Sequence, residues 1–283
     1  MIIWIASYPK SGNTWVRSFI SAILANKDGN FVFDDLLQIP QYPIKRQFED
    51  FISDFSNINS IKKNWITTQT KLNLDERIKF LKTHHVNCKM GNDAFTNFDN
   101  TLGVIYIVRD PRNVLSSLIN HYSLNDQLEA RDFLFEEKNW LGFKKVNDKI
   151  ELTRFPTLIS SWGTNYNSWK NTSKNLLLIK YENLVSNPES EFEKIVKYLE
   201  NLLETNFDKS KIDNAINSTS FDSLRNKEIN EGFFESAKNK KGEGNKRFFN
   251  LGPRNNWEHL VDKTIVDEIE NKFQIEMKEL GYL

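Results

Sequence analysis

The chain opens Met1-Ile2-Ile3-Trp4-Ile5-Ala6-Ser7-Tyr8-Pro9-Lys10-Ser11-Gly12-Asn13-Thr14-Trp15-Val16, and this stretch decides the reading of everything after it. Ile2, Ile3, Trp4 and Ile5 form a short apolar run with the pattern of a buried strand. Ser7, Tyr8, Pro9, Lys10, Ser11, Gly12 and Asn13 carry a turn. Val16, Phe19, Ile20, Ile23 and Leu24 then recur at helical spacing on one face. A strand that turns through Lys, Ser and Gly into a helix makes a cradle for phosphate. The helix start presents backbone N–H groups and the positive end of its dipole. Lys10 adds a full positive charge, and Ser11, Asn13 and Thr14 add polar side chains. The turn predicts an anion site, with the protein's chemistry at that anion.

The nucleotide-binding P-loop, GxxxxGK[ST], puts Lys after its second Gly. Here Lys10 precedes Gly12, and Trp15 follows Thr14. The string from Tyr8 to Trp15 instead resembles the 5′-phosphosulfate loop of sulfotransferases, which use 3′-phosphoadenosine 5′-phosphosulfate (PAPS). The family's usual second Thr is replaced by Asn13, which still donates a hydrogen bond. An ordinary strand–helix connection with a solvated Lys is the plain alternative.

Length and composition bound the rest. With 283 residues, 39% hydrophobic and 13% aromatic, the chain suits a globular protein. Lys and Arg total 38 and Asp and Glu total 38, so any anion site is a local concentration of charge. Zero net charge argues against broad binding to nucleic acid or acidic membranes. Cys88 is the only cysteine, which fits a reducing compartment and excludes a cysteine-rich zinc site. The apolar start is too short for a signal peptide, and no apolar run approaches a membrane span. The expectation is a cytoplasmic protein with no integral membrane segment.

Strand and helix patterns alternate along the chain. Residues 80–82, 104–108 and 176–179 read as strands, the second the most strongly β-branched. Helical stripes follow Pro111 and Pro188, and others lie at 45–55, 162–169 and 265–277. Residues 92–101 read as a polar loop with some helical character, and 225–246 as a mobile lid or loop. The alternation predicts α/β: a central parallel sheet with helices on both faces, P-loop-kinase-like, in one domain over 1–283. Lys10, His84, Arg109 and Tyr181 each stand just past a predicted strand, where the site of such a fold lies.

Two further motifs extend the resemblance. Val104-Ile105-Tyr106-Ile107-Val108-Arg109-Asp110-Pro111 is similar to the family's 3′-phosphate motif, a strand ending in Arg-(Asp or Asn)-Pro with a Ser eight residues after the Arg. Here the pair is Arg109 and Ser117. A guanidinium fork holds phosphate better than a flexible ammonium does. Ser117 falls about two turns along the following helix. The alternative is a structural ion pair between Arg109 and an Asp. The third motif, Phe80-Leu81-Lys82-Thr83-His84-His85, resembles the Lys-Thr-His of cytosolic sulfotransferases and implies His84 as catalytic base. His85 competes, but strand neighbours point to opposite faces, so one of the two enters the site.

Weaker matches imply an adenosine pocket. Tyr181 resembles a family Tyr that contacts adenine, Thr219 and Phe221 resemble a Thr-Ser-Phe beside the adenosine, and Trp15 would stack on the base. For each aromatic ring, core packing is the default explanation. The family's Phe-Phe-Arg-Lys-Gly segment has a Trp five residues after the Gly. Gly252 and Trp257 keep that spacing, but Asn250 and Leu251 replace the Arg-Lys pair. Arg254, Arg247 or Lys246 is the substitute cation, and Lys240-Lys241-Gly242 offers another register without the Trp.

The resemblance implies sulfuryl transfer from PAPS to a hydroxyl or amine by in-line displacement, with no metal. His84 is the base, Lys10 and Thr14 stabilise the leaving phosphate, and Lys82 helps hold the transferring oxygens. A kinase using ATP and a non-catalytic nucleotide-binding protein are the rival readings. The acceptor is a small molecule or a glycan, with residues 31–71 and 125–155 shaping its pocket. Oligomeric state is not legible.

Overall fold

The computed structural model describes residues 1–146, 149–172, 175–238 and 244–283, with side chains in those ranges except at 144–150. The chain divides into two compact units, Met1–Tyr8 with Ile39–Ile107 and Glu136–Leu178, and Pro9–Gln38 with Val108–Phe135 and Ile179–Leu283.

The first unit holds the sheet. β1 (Ile2–Ser7) lies between β2 (Lys79–Thr83) and β5 (Thr101–Val108) and runs parallel to both. β8 (Leu176–Lys180), which starts in this unit, completes the order β2-β1-β5-β8. The fold is thus α/β on a central parallel sheet. Every β1 residue is buried, as a central parallel strand requires. In register, Ala6 faces Thr83, so the carboxyl ends of β1 and β2 are level. Two antiparallel pairs form separate sheets: β3 (Lys89–Met90) with β4 (Asp93–Ala94), and β6 (Trp140–Val146) with β7 (Lys149–Leu158).

Large rings fill this unit's core. The Trp4 ring lies against Tyr42, Phe95 and Trp169, at 5.5, 5.7 and 6.0 Å between centroids. Its Nε1 donates to Thr101 Oγ1 at 3.0 Å, so the buried indole loses no hydrogen bond. Helices α2 (Lys45–Phe48), α3 (Ile58–Lys63), α4 (Trp65–Asn73) and α7 (Trp162–Lys170) belong here.

The second unit is helical: α1 (Asn13–Ala25), α5 (Pro111–Tyr122), α6 (Gln127–Phe135), α8 (Tyr181–Ser186), α9 (Pro188–Leu203), α10 (Lys209–Ser218), α11 (Phe221–Glu231), α12 (Trp257–Leu260), α13 (Lys263–Lys272) and α14 (Gln274–Glu279). Phe19 of α1 stacks on Phe192 of α9 at 4.1 Å. α5 and α9 each begin with Pro beside a capping side chain, Asp110 and Asn187 respectively.

Three local expectations change. The helix expected over 45–55 stops at Phe48, where the N–H groups of Phe51 and Ile52 both turn back on the Phe48 carbonyl; further on, Asp54 Oδ1 accepts from the N–H and hydroxyl of Ser56 in a separate turn. The polar loop at 92–101 contains β4, folded back at Gly91, whose φ of 68° suits a tight turn. Residues 225–231 are not loop but the end of α11: Ser220 caps that helix and Leu224 anchors it in the core. The β6–β7 pair carried no strand signal that was read from the sequence.

Candidate active site

β1 ends at Ser7 and residues 8–12 lead directly into α1. Lys10 and Gly12 both have left-handed backbone, at φ 66° and 101°. Glycine is required at position 12 for a second reason: a Cβ there would stand 2.6 Å from Cδ2 of Tyr181. The turn thereby packs its backbone against the Tyr181 ring. Ser11 is wholly buried, and its Oγ has no hydrogen-bond partner among the described residues. Buried hydroxyls are ordinarily satisfied, and this one stands beside a helix start, where an anion could satisfy it. Asn13 and Thr14 are buried in the first turn of α1. The Lys10 ammonium lies 3.9 Å from the centre of the Phe248 ring.

Arg109 is the first residue after β5. Its Nη1 donates to the Lys10 carbonyl at 3.2 Å and to Ser117 Oγ at 3.4 Å. Its guanidinium lies 4.1 Å over the Tyr181 ring. Arg109 thus touches the Lys10 turn, Ser117 and Tyr181, three other places in the chain, all within one unit. The ion pair of this strand end is made by Arg112, which binds Asp110 at 2.6 Å and Glu270 at 2.6 Å. Trp257 covers that guanidinium at 4.0 Å. So the Trp that follows Gly252 at family spacing braces a structural arginine.

The segment around Gly252 docks on α5. Asn255 Nδ2 donates to the Asn113 carbonyl at 2.7 Å and to Ser117 Oγ at 3.2 Å, while its Oδ1 accepts from Ser116 at 2.7 Å. Gly252 abuts the Phe221 ring, where a Cβ would come within 2.2 Å. Arg254 is exposed on a short 3₁₀ turn. Lys246 Nζ donates to the Asn120 carbonyl at 2.8 Å, and Arg247 is exposed. Residues 240–242, the other register, lie outside the described residues. Thr219 is buried, with its hydroxyl donating to the Ala215 carbonyl at 2.6 Å. Trp15 is 8% exposed and sits edge-on to Tyr181 and Phe192, as a core ring does.

His84 and Lys82 belong to the first unit. His84 immediately follows β2, and its Nδ1 lies 2.8 Å from the Ser7 carbonyl and 3.2 Å from Ser7 Oγ. Lys82 is buried, held by backbone bonds to Pro40 and Tyr42. His85 also lies past the end of β2, so strand alternation does not govern the pair. It is fully buried, stacked on Phe95 at 4.2 Å and 3°, and near Trp65 and Trp140. Burial pushes its pKa down to about 3, so it is a neutral core residue at physiological pH. Cys88 is half-buried with a thiol pushed up to about 11, an unreactive setting.

Four participants were not read from the sequence: Ser7, Asn255, Arg17 and Glu235. Glu235 accepts from Thr14 Oγ1 at 3.2 Å and from the buried Arg17 guanidinium at 2.8 Å. Each is met by a residue distant in the chain, and no local pattern announces such a pairing.

Residues 2–281 match the family described as Sulfotransferase domain, and the chain belongs to that family. It is 27% identical over 228 residues to dog (Canis lupus familiaris) sulfotransferase 1B1, covering 79% of this chain and 66% of that protein. It is 24% identical over 229 residues to firefly (Photinus pyralis) luciferin sulfotransferase, covering 79% of this chain and 56% of that protein. The chain thus spans less than two thirds of the length of these curated relatives. Among solved structures, mouse sulfotransferase SULT7A1 complexed with PAP matches with a TM-score of 0.58 at 18% identity, covering 98% of this chain and 84% of that one. That likeness establishes the fold.

Proposed function

We propose that this chain is a sulfotransferase that moves the sulfuryl group of PAPS to a hydroxyl or amine of a small-molecule or glycan acceptor. The observation that carries the reading is the contact of the Arg109 guanidinium with both the Lys10 backbone and Ser117. These are the residues that the two anion motifs supply, and a nucleotide with phosphates at both ends needs them near one another. The buried Ser11 hydroxyl fits an anionic group in the same turn. Family membership and the PAP held by the mouse protein of like fold support the same cofactor.

Bound PAPS supplies an activated sulfate whose leaving group is a phosphate. Lys10, Asn13, Thr14 and the start of α1 stabilise negative charge developing on that phosphate. Gly12 and Tyr181 keep the turn in shape, and Arg109 with Ser117 holds the 3′-phosphate. Trp15, Thr219, Phe221, Gly252 and Arg254 border the nucleotide in this scheme. As the acceptor oxygen bonds to sulfur and the sulfur–phosphate oxygen bond breaks, the His84 imidazole takes the acceptor proton, with Lys82 placed to hold the sulfuryl oxygens. Such a base contributes about 10²–10⁴-fold. Residues 1–283 act as one sulfotransferase domain, working in the cytoplasm, and no metal takes part.

The test pairs binding with transfer. Calorimetry should show 3′,5′-ADP binding without magnesium and ATP–magnesium binding far more weakly. An acceptor screen with PAPS, read by mass spectrometry, should give a sulfated product. Preference for ATP–magnesium would replace this reading with a kinase. Nucleotide binding with no product across phenol, sterol, amine and sugar acceptors would leave a binding protein.

A further inference from the structure

Ser7 is the last residue of β1, and His84 follows the last residue of β2 beside it. A carbonyl oxygen only accepts hydrogen bonds. The 2.8 Å contact between His84 Nδ1 and the Ser7 carbonyl therefore puts the proton on Nδ1. In a neutral imidazole that leaves the lone pair on Nε2. The ring's position relative to Ser7 depends on where the backbone of residue 84 is held, and a second set of bonds holds it. Asn165, fully buried on α7, donates through Nδ2 to the His84 carbonyl at 3.0 Å and to the Ile159 carbonyl at 2.8 Å. Two carbonyls facing one end of the amide identify that end as nitrogen. The other end, Oδ1, accepts from the Tyr106 hydroxyl at 2.8 Å. Burial raises the Tyr106 pKa well above its ordinary value, so that hydroxyl keeps its proton and stays a donor.

We propose that the chain Tyr106–Asn165–His84–Ser7 selects the Nδ1–H tautomer of His84, so that Nε2 is the atom available to take a proton, with Asn165 and Ser7 as positioning residues. The assignment deepens the proposed role of His84 and rests on it only for its catalytic meaning. The tautomer itself belongs to the protein without nucleotide or acceptor. All four groups lie in the first unit, and each bond satisfies a buried polar atom that would otherwise cost about 1–3 kcal/mol.

The experiment is long-range ¹H–¹⁵N correlation on the ¹⁵N-labelled full chain above the titration of its histidines, with His84 assigned by its loss in His84→Ala. The expected spectrum has a pyrrole-type Nδ1 and a pyridine-type Nε2 at His84. In Asn165→Leu and in the milder Tyr106→Phe, the two shifts should move towards each other as the second tautomer is populated. A wild-type His84 protonated on Nε2 overturns the proposal. So do unchanged shifts in both variants. If Asn165→Leu fails to fold, the wild-type spectrum and Tyr106→Phe still decide. Turnover by His84→Ala is measured separately: activity there would remove the base, while a correct tautomer would survive it.

Discussion

Replacing His85 by Phe separates the two adjacent histidines in one measurement. His85 is sealed among Trp65, Phe95 and Trp140, with Nδ1 donating to the Val86 carbonyl at 2.7 Å. Its pKa falls from 6.5 to about 3 because burial disfavours the imidazolium. The unfolded chain therefore binds a proton below pH 6.5 that the folded chain refuses until about pH 3. The sign follows: this group's contribution is fully present above pH 6.5 and is lost as the pH falls from 6.5 towards 3. Between pH 7 and pH 4.5 the loss is about 2–3 kcal/mol, from a slope approaching 1.4 kcal/mol per pH unit. Carboxylates also titrate in that window, so the quantity to read is a difference. Urea unfolding of wild type and His85→Phe at both pH values isolates it. The wild type should lose about 2–3 kcal/mol more than the variant on acidification. At pH 7 the variant should bind 3′,5′-ADP and transfer sulfate like the wild type. Equal acid losses would refute the buried neutral assignment, and a dead but folded variant would return His85 to the site.

Four other substitutions probe the second unit and the proposed base. Arg109→Ala should weaken 3′,5′-ADP by about 10–100-fold, the worth of charge-assisted bonds to one phosphate, and weaken AMP far less; calorimetry giving equal losses would remove the 3′-phosphate assignment. Gly12→Ala forces a Cβ against Tyr181 in left-handed backbone. It should cost at least about 1–3 kcal/mol in urea unfolding, with loss of nucleotide affinity; an unshifted midpoint with normal affinity would show the turn is not constrained. Lys10→Ala and His84→Ala should each abolish transfer at wild-type melting temperature, and near-normal turnover by either would end its proposed role.

Much of the architecture was legible locally. β1, β2, β5 and β8 announced themselves as apolar runs, and Pro111 and Pro188 marked helix starts, because burial periodicity and capping depend on near neighbours in the chain. The same reasoning misplaced residues 49–55, where the chain turns back on the Phe48 carbonyl, and 225–231, where a cap at Ser220 outweighed average composition. It also passed over the antiparallel β6–β7 pair, which joins residues with no strong pattern of their own.

Sequence alone determined the order of the anion motifs, their residue types and the parallel α/β class. Tertiary structure decided what each of their side chains touches. It set Gly12 on Tyr181, brought Arg109 to the Lys10 carbonyl, gave Asp110 to Arg112, sank His85 into the core and left Ser7 to hold His84. The physical reason is range. Strand and helix preferences arise from residues a few positions apart, whereas burial, ion pairing and tautomer choice are fixed by groups that meet only after the chain has folded.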